Sequence, residues 1–274
     1  MKRMYLALLA LPLLTLNGCI GLFNATYSYR VETRRLNLPG DWKQPLRIVQ
    51  ISDLHAGSLY SATPFKKVVN TVNALKPDII FVTGDFVTSD PNELHKLIEP
   101  LSNMRAAYGI YGCLGNHDHY MSDEEHILLK EMIRSTGIDL LINTNLSTEI
   151  RGQKLTIASV DNYGMRQKFG DFDKALAGVD TSSLIILLNH DPNAFDDKIK
   201  GRSPNLTLCG HTHGGQIGIR IAGLELSPAK LFYDYSADLY KVGVQYIYVN
   251  RGIGMTGPPV RIGMRPEITL FIID

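Results

Sequence analysis

Two imidazoles sit two residues apart in the stretch Leu208-Cys209-Gly210-His211-Thr212-His213-Gly214-Gly215-Gln216. The run before them, Leu206 to Leu208, has the character of a short buried strand, and Gly210 ends it. Glycines at 210, 214 and 215 allow a tight turn and leave room for a group to approach. From such a turn His211 and His213 can point toward neighbouring metal positions. Taken alone, a His-x-His pair in a loop is more often solvated or structural.

Four earlier segments end a strand-like run in the same way: Ser52-Asp53-Leu54-His55, Thr83-Gly84-Asp85, Gly115-Asn116-His117-Asp118 and Asn189-His190-Asp191. With the His-x-His loop they supply two carboxylates, one amide and four imidazoles as ligands, plus one further His. One zinc takes about four ligands, so this mixed oxygen and nitrogen set is larger than one ion requires. It suits two adjacent divalent ions about 3.5–4 Å apart, which can bridge a hydroxide and clamp a phosphoryl group for in-line attack. A lone Asp at a strand end is commonly a turn or cap residue, and a lone His is often a satisfied core group. Five such segments in this order outweigh those readings.

The elements that must position these residues follow from periodicity. Buried strands are expected at Leu46–Ile51, Ile79–Val82, Gly109–Leu114, Leu184–Leu188, Leu206–Leu208, Gln245–Val249 and Ile268–Ile272. An edge strand is expected over Tyr27–Leu38, and short strands near Asp139–Ile142, Thr148–Arg151 and Lys154–Val160. Helices are expected at Pro64–Leu75, Pro91–Leu101, Ser122–Ile133, Phe172–Ala177 and Asn193–Ile199, the third with an acidic first turn suited to the helix dipole. Strands that alternate with helices and are apolar throughout imply sheets covered on both faces. Ligands in such folds sit beyond the carboxyl ends of the strands, where the unusual residues fall.

Together, the blocks Asp53-Leu54-His55, Gly84-Asp85, Gly115-Asn116-His117-Asp118, His190 and Gly210-His211-Thr212-His213 resemble the five signature blocks of calcineurin-like metallophosphoesterases, over a region from about Leu46 to the C-terminus. The resemblance implies an α/β fold, a four-layer α/β/β/α sandwich with two mixed β-sheets, spanning residues 46–274. It implies that Asp53, His55 and His213 hold a first metal, that Asn116, His190 and His211 hold a second, and that Asp85 bridges both. His117 would assist the leaving group, with Asp118 orienting it. Flanking segments such as Ala74-Leu75-Lys76-Pro77-Asp78, Asn250-Arg251-Gly252 and Pro259-Val260-Arg261 look like the YaeI/YkuE-type bacterial phosphodiesterase group. The activity implied is hydrolysis of a phosphoester by a metal-bridging hydroxide. A related branch hydrolyses UDP-2,3-diacylglucosamine in lipid A synthesis, which is the enzymatic alternative and leaves a lipid-linked substrate open. The non-enzymatic alternative is a metal-free scaffold on the same fold. Mn, Fe, Zn, Co and Ni all suit the ligand set.

The remaining features bound the reading. The chain has 274 residues and a formal charge of +1, which gives no electrostatic footprint for nucleic acid. Met1-Lys2-Arg3 is a basic start, and Met4 to Leu16 is apolar except for Thr15. With Leu16-Asn17-Gly18-Cys19 this describes residues 1–19 as a secretory signal with a lipoprotein box, or as part of an uncleaved anchor reaching about Phe23. Either places the body at a membrane, most simply outside the cytoplasm, with residues 20–45 as a lead-in. Three cysteines are too few for a disulfide framework, so Cys113 and Cys209 are expected as small core residues. Arg251 either contacts a substrate phosphate or forms an ion pair, while Arg261 is expected in an ion pair or at a solvated surface. The aromatic run Leu231 to Tyr240 is expected mainly as a satellite core, the alternative being a cap over the cleft that meets acyl chains.

Overall fold

The computed structural model describes residues 28–57, 62–164, 166–221, 224–257 and 260–274. Its construction is visible in two central strands, β2 (Leu46–Ile51) and β3 (Ile79–Thr83). Leu46, Ile48, Ile79 and Phe81 join one buried cluster, while Val49, Ile51, Ile80 and Val82 join another. Successive side chains of a strand face opposite sides of the sheet. A strand apolar at every position is therefore stable only where both faces are covered.

Two mixed six-stranded sheets provide that cover. The first runs β1 (Arg30–Leu36), β14 (Glu267–Ile273), β2, β3, β4 (Ile110–Cys113), β5 (Asp139–Leu140), with β14 antiparallel to β2 and the other pairings parallel. The second runs β12 (Asp238–Val242), β13 (Gln245–Val249), β9 (Leu206–Cys209), β8 (Leu184–Leu188), β7 (Gln153–Ser159), β6 (Thr144–Ile150), parallel from β13 to β7 with antiparallel strands at each edge. Between the sheets lie Ile48, Phe81, Cys113, Ile157, Ile186 and Leu208. On the outer face of the first sheet pack helices α1 (Ala62–Ala74), α2 (His95–Ser102) and α3 (Asp123–Ser135), through Val68, Val72, Leu97, Leu101, Leu129 and Ile133. On the outer face of the second pack α4 (Phe172–Ala175) and the turn Phe195–Ile199. The result is the four-layer α/β/β/α sandwich that the resemblance implied. Cys113 and Cys209 are free and buried.

Helix α3 starts where its sequence says it should. Ser122 and Glu125 form a reciprocal capping box, and Asp123, Glu124 and Glu125 place negative charge at the positive end of the helix. Other boundaries differ from expectation. The Pro91–Leu101 helix divides into a short 3-10 turn over Pro91–Leu94 and α2, and the Asn193–Ile199 helix shrinks to a single wide turn. A two-stranded hairpin, β10 (Ile219–Ile221) with β11 (Leu224–Leu226), and the edge strand β12 were not expected at all. The signal or anchor reading of residues 1–19 lies outside the described residues. Among the described residues no helix is long and apolar enough to cross a membrane.

Candidate metal centre

The carboxyl ends of β2, β3, β4, β8 and β9 converge on one point. The main chain there is tied across strands: the Asp53 amide donates to the Gly84 carbonyl at 3.0 Å, His55 to Asp85 at 3.0 Å and Gly210 to His190 at 3.0 Å. Gln50 joins the sheets, donating to the Cys209 carbonyl at 2.9 Å. Asp53, His55, Asp85, His211 and His213 all have positive φ, between 42° and 71°. Such backbone is costly outside glycine and concentrates at functional sites. The loops also approach very closely: a Cβ on Gly115 would lie 2.2 Å from Asp85 Oδ1, so only glycine fits there.

The donor atoms of Asp53, His55 and His213 lie within 4.8 Å of one another, as do those of Asp85, His190 and His211. These are the first expected trio and, with the bridging Asp85, two members of the second. His55 Nε2 is 3.2 Å from His213 Nε2 and 3.6 Å from Asp85 Oδ2; His213 Nε2 is 3.5 Å from Asp53 Oδ1; His190 Nε2 is 3.1 Å from Asp85 Oδ2. Metal–ligand bonds of about 2.0–2.2 Å set adjacent ligands about 3–3.5 Å apart, so these spacings suit donors around shared cations.

Two orphaned atoms support the same fit. Asn116 donates through Nδ2 to the Tyr120 hydroxyl at 3.0 Å, while its buried Oδ1 has no hydrogen-bond partner. His190 Nδ1 donates to the Thr83 carbonyl at 2.7 Å, which leaves the buried Nε2, with no hydrogen-bond partner of its own, as the atom that would ligate a cation once its proton is displaced. Charge points the same way. Burial, reinforced by Asp85, pushes Asp53 up to about 6, although His190 opposes it. Burial pulls His190 down, but Asp85 and Asp53 override it and hold it up at about 10. Burial lowers His55 to about 3 and His213 well below the usual range, so both are neutral and able to donate. Without a cation this is an expensive set of buried charges.

His117 is part of the same cluster, forming a third trio with His55 and Asp85. Its amide donates to Asp85 Oδ1 at 2.9 Å, and its Nδ1 meets the Thr88 carbonyl at 2.6 Å. That carbonyl, not Asp118, orients the ring. Asp118 is fully buried and clamps three main-chain amides: Phe86 at 2.8 Å, Val87 at 3.3 Å and Gly115 at 2.9 Å. Both carboxylate oxygens are taken up by these amides, so Asp118 positions the loops that carry Asp85 and Asn116.

Of the two arginines, Arg251 takes one of its two expected places and Arg261 departs from expectation. Arg251 is buried in ion pairs with Glu267 at 2.6 Å and Glu32 at 2.9 Å, the structural alternative to contacting substrate. Arg261 is fully buried, not on a solvated surface. It donates to the carbonyls of Gly252, Gly254 and Met264 and sits 3.1 Å from His213 Nδ1. The aromatic run splits: Tyr235 and Tyr240 pack on the outer core of the second sheet, Tyr233 reaches His211 Nε2 at 2.9 Å, and Leu231 and Phe232 are exposed. Tyr120 and Arg166 border the site and were not expected there, whereas Tyr233, which also borders it, belongs to the run for which a cap over the cleft was the alternative. No local signal separates Tyr120 and Arg166 from other surface tyrosines and arginines.

Comparison with known proteins agrees with this geometry. Residues 46–215 match the model of the calcineurin-like phosphoesterase family. The metallophosphoesterase YkuE of Bacillus subtilis (strain 168) is 34% identical over 232 residues, covering 83% of this chain and 78% of that protein. Proteins of Danio rerio and Bos taurus, each called a transmembrane protein with metallophosphoesterase domain, are 31% and 32% identical over 283 and 288 residues. Those alignments cover 99% and 97% of this chain but 63% and 62% of the relatives, so the chain spans less than two thirds of their length.

Proposed function

This chain belongs to the calcineurin-like phosphoesterase family, and from that premise we propose that it is a phosphodiesterase working with two divalent metal ions at a membrane, outside the cytoplasm. The diester reading is carried by one observation: two clefts adjoin the donor cluster. One, of about 180 Å³, is lined by Asn116, Tyr120, Asn162, Arg166 and Gln167. The other, of about 290 Å³, is lined by Asp85, His117, His213, Gln216 and Phe232. His211 and Tyr233 border both. A monoester has one alcohol to accommodate; a diester has two, one for each cleft.

Asp53, His55 and His213 would hold one ion, Asn116, His190 and His211 the other, with Asp85 shared between them. When bound, the ions supply a nucleophilic hydroxide at neutral pH and neutralise charge building on the phosphoryl oxygens. The chain's own residues do the rest. Thr88 fixes the proton of His117 on Nδ1, so the ring meets the leaving oxygen through Nε2, which carries a proton when the imidazole is charged. Asp118 keeps the loop of Asp85 in register with that of Asn116. Arg261 packs behind His213 and holds that ring against the site. Manganese, iron, zinc, cobalt and nickel all suit these donors.

Membrane association is supported by the apolar run Met4–Leu16 and by relatives named as transmembrane proteins. The test of the reaction is hydrolysis of bis-p-nitrophenyl phosphate against p-nitrophenyl phosphate, with the metal content of the protein quantified. The expected result is metal-dependent turnover that is faster for the diester. Preference for the monoester, or turnover that survives complete removal of metal, overturns the reading.

A further inference from the structure

Twelve large apolar side chains are exposed among the described residues, and six of them belong to segments that follow one another or pair, Ile217, Ile219, Leu226, Leu231, Phe232 and Ile262, of which Phe232 lines the second cleft. Pairing explains why they share one surface. Ile217 bridges Ile262 and Gly263, and Gly218 donates to the Ile262 carbonyl at 2.9 Å. Ile219 stands opposite Leu226 in the β10–β11 hairpin. From Leu226 the chain passes directly into the short turn Pro228–Leu231, whose Ala229 packs under Gly215. Leu231 is 80% and Phe232 70% exposed, and Phe232, Pro228 and Ala229 line the cleft that also holds Asp85 and His213. The apolar segment therefore reaches the candidate metal centre through Phe232. Apolar side chains on this scale, gathered on one surface, mark an interaction site.

The path of the chain identifies what meets it. Strand β1 begins at Arg30, whose amide donates to the Pro266 carbonyl at 2.8 Å and whose register partner is Glu267. Strand β14 runs antiparallel to β2, with Thr269 opposite Gln50, so Glu267 lies at the end of the sheet that carries Asp53. The described chain thus enters at the site end of the molecule, on the same 262–266 segment that carries Ile262. The apolar sequence Met4–Leu16 precedes this entry in the chain. A segment of that composition belongs in or on lipid, and the described chain begins at the site end of the molecule rather than at the far end.

We propose that the rim formed by Ile217, Ile219, Leu226, Leu231, Phe232 and Ile262 docks into the interfacial layer of a lipid bilayer and turns the cleft toward that surface. Leucine, isoleucine and phenylalanine are the side chains that anchor interfacial elements among acyl chains. The inference rests on the membrane association proposed above, and it adds which face meets the lipid.

The full-length chain is reconstituted in vesicles of phosphatidylethanolamine and phosphatidylglycerol whose acyl chains are brominated. Trp42 is the sole tryptophan and is buried, so a tryptophan added at the surface reports its own surroundings. Leu231→Trp should be quenched by the brominated chains. Val244→Trp should not, because Val244, 87% exposed, sits on the β12–β13 turn at the opposite end of the second sheet. Protein that floats with the vesicles but shows no quenching at 231, or equal quenching at 231 and 244, overturns the docking and leaves membrane association standing. Protein that does not float overturns both. A second outcome is a rim that pairs with another copy of the chain. A shift from dimer to monomer in Leu226→Ser/Leu231→Ser, measured by sedimentation in detergent, would establish that instead and overturn the docking.

Discussion

Asp85 answers to three partners at once: Oδ1 accepts the His117 amide, while Oδ2 lies 3.1 Å from His190 Nε2 and 3.6 Å from His55 Nε2. Asp85→Asn keeps the size and the amide contact but removes the anion. Turnover should fall by about 10²–10³-fold or more, with the circular dichroism spectrum unchanged. Full activity in a metal-quantified sample would sink the assignment. His117 calls for a different experiment, since its proposed work depends on the leaving group. His117→Asn should cost about 10²–10⁴-fold on a diester with an alkyl leaving group and far less on bis-p-nitrophenyl phosphate, whose leaving group departs unaided. Equal losses on the two substrates would remove His117 from that role. The ligands were legible because Asp, Asn and His recur after apolar runs, and each type announces its own chemistry. The roles of Asp118, Arg251 and Arg261 were not. A carboxylate or a guanidinium binds whichever partner the fold brings near. Three amides, two carboxylates and a group of carbonyls reached these residues first.

At the scale of elements, Asp118 binds the loop after β3 to the loop after β4 through donors only. Asp118→Asn must turn an NH₂ group toward at least one of those amides. An unmet buried group costs about 1–3 kcal/mol, which thermal unfolding should show as a loss of about 2–4 °C per kcal/mol. An unchanged Tm would mean that the clamp is not needed. Helix α3 carries a pH-dependent element. Burial, with His119 and Lys130 nearby, lowers His126 from 6.5 to about 4. The unfolded chain then takes up a proton that the folded chain refuses, so stability present above pH 6.5 is lost as the pH falls toward 4. His126→Gln should therefore lose less stability than the parent between pH 8 and pH 5; parallel Tm curves would refute this. The central strands were legible because burial on both faces makes every position apolar. The β10–β11 hairpin and β12 were not, because short strands away from the main core carry no such run, and tertiary pairing alone defines them.

The whole molecule is two sheets that meet at a charged seam. Asp53, His55, Asp85 and Asn116 come from the first sheet, and His190, His211 and His213 from the second. Cations held by all seven would join the sheets at that edge. Removing them leaves Asp53 and Asp85 buried together, with Asp53 up at about 6. For a carboxylate raised in this way, the metal-free fold loses stability as the pH rises from 3.8 to about 6 and stays at that lower level above it. A bound ion reverses the penalty, because it stabilises the ionised form. The ion also competes with a proton for His190 Nε2, so its hold strengthens as the pH rises. Chelation at pH 7.5 should therefore lower Tm. An ion present at about 100 times its Kd contributes about 2.7 kcal/mol, or about 5–10 °C for a chain of this size. Manganese or zinc should restore the loss, and the gain on adding metal should shrink toward pH 5. It should also be smaller in Asp85→Asn, which has lost one carboxylate from the seam. A Tm indifferent to chelator, in protein shown to have held metal beforehand, would mean that the sheets are joined by their apolar interface alone and that the cluster serves chemistry without serving the fold.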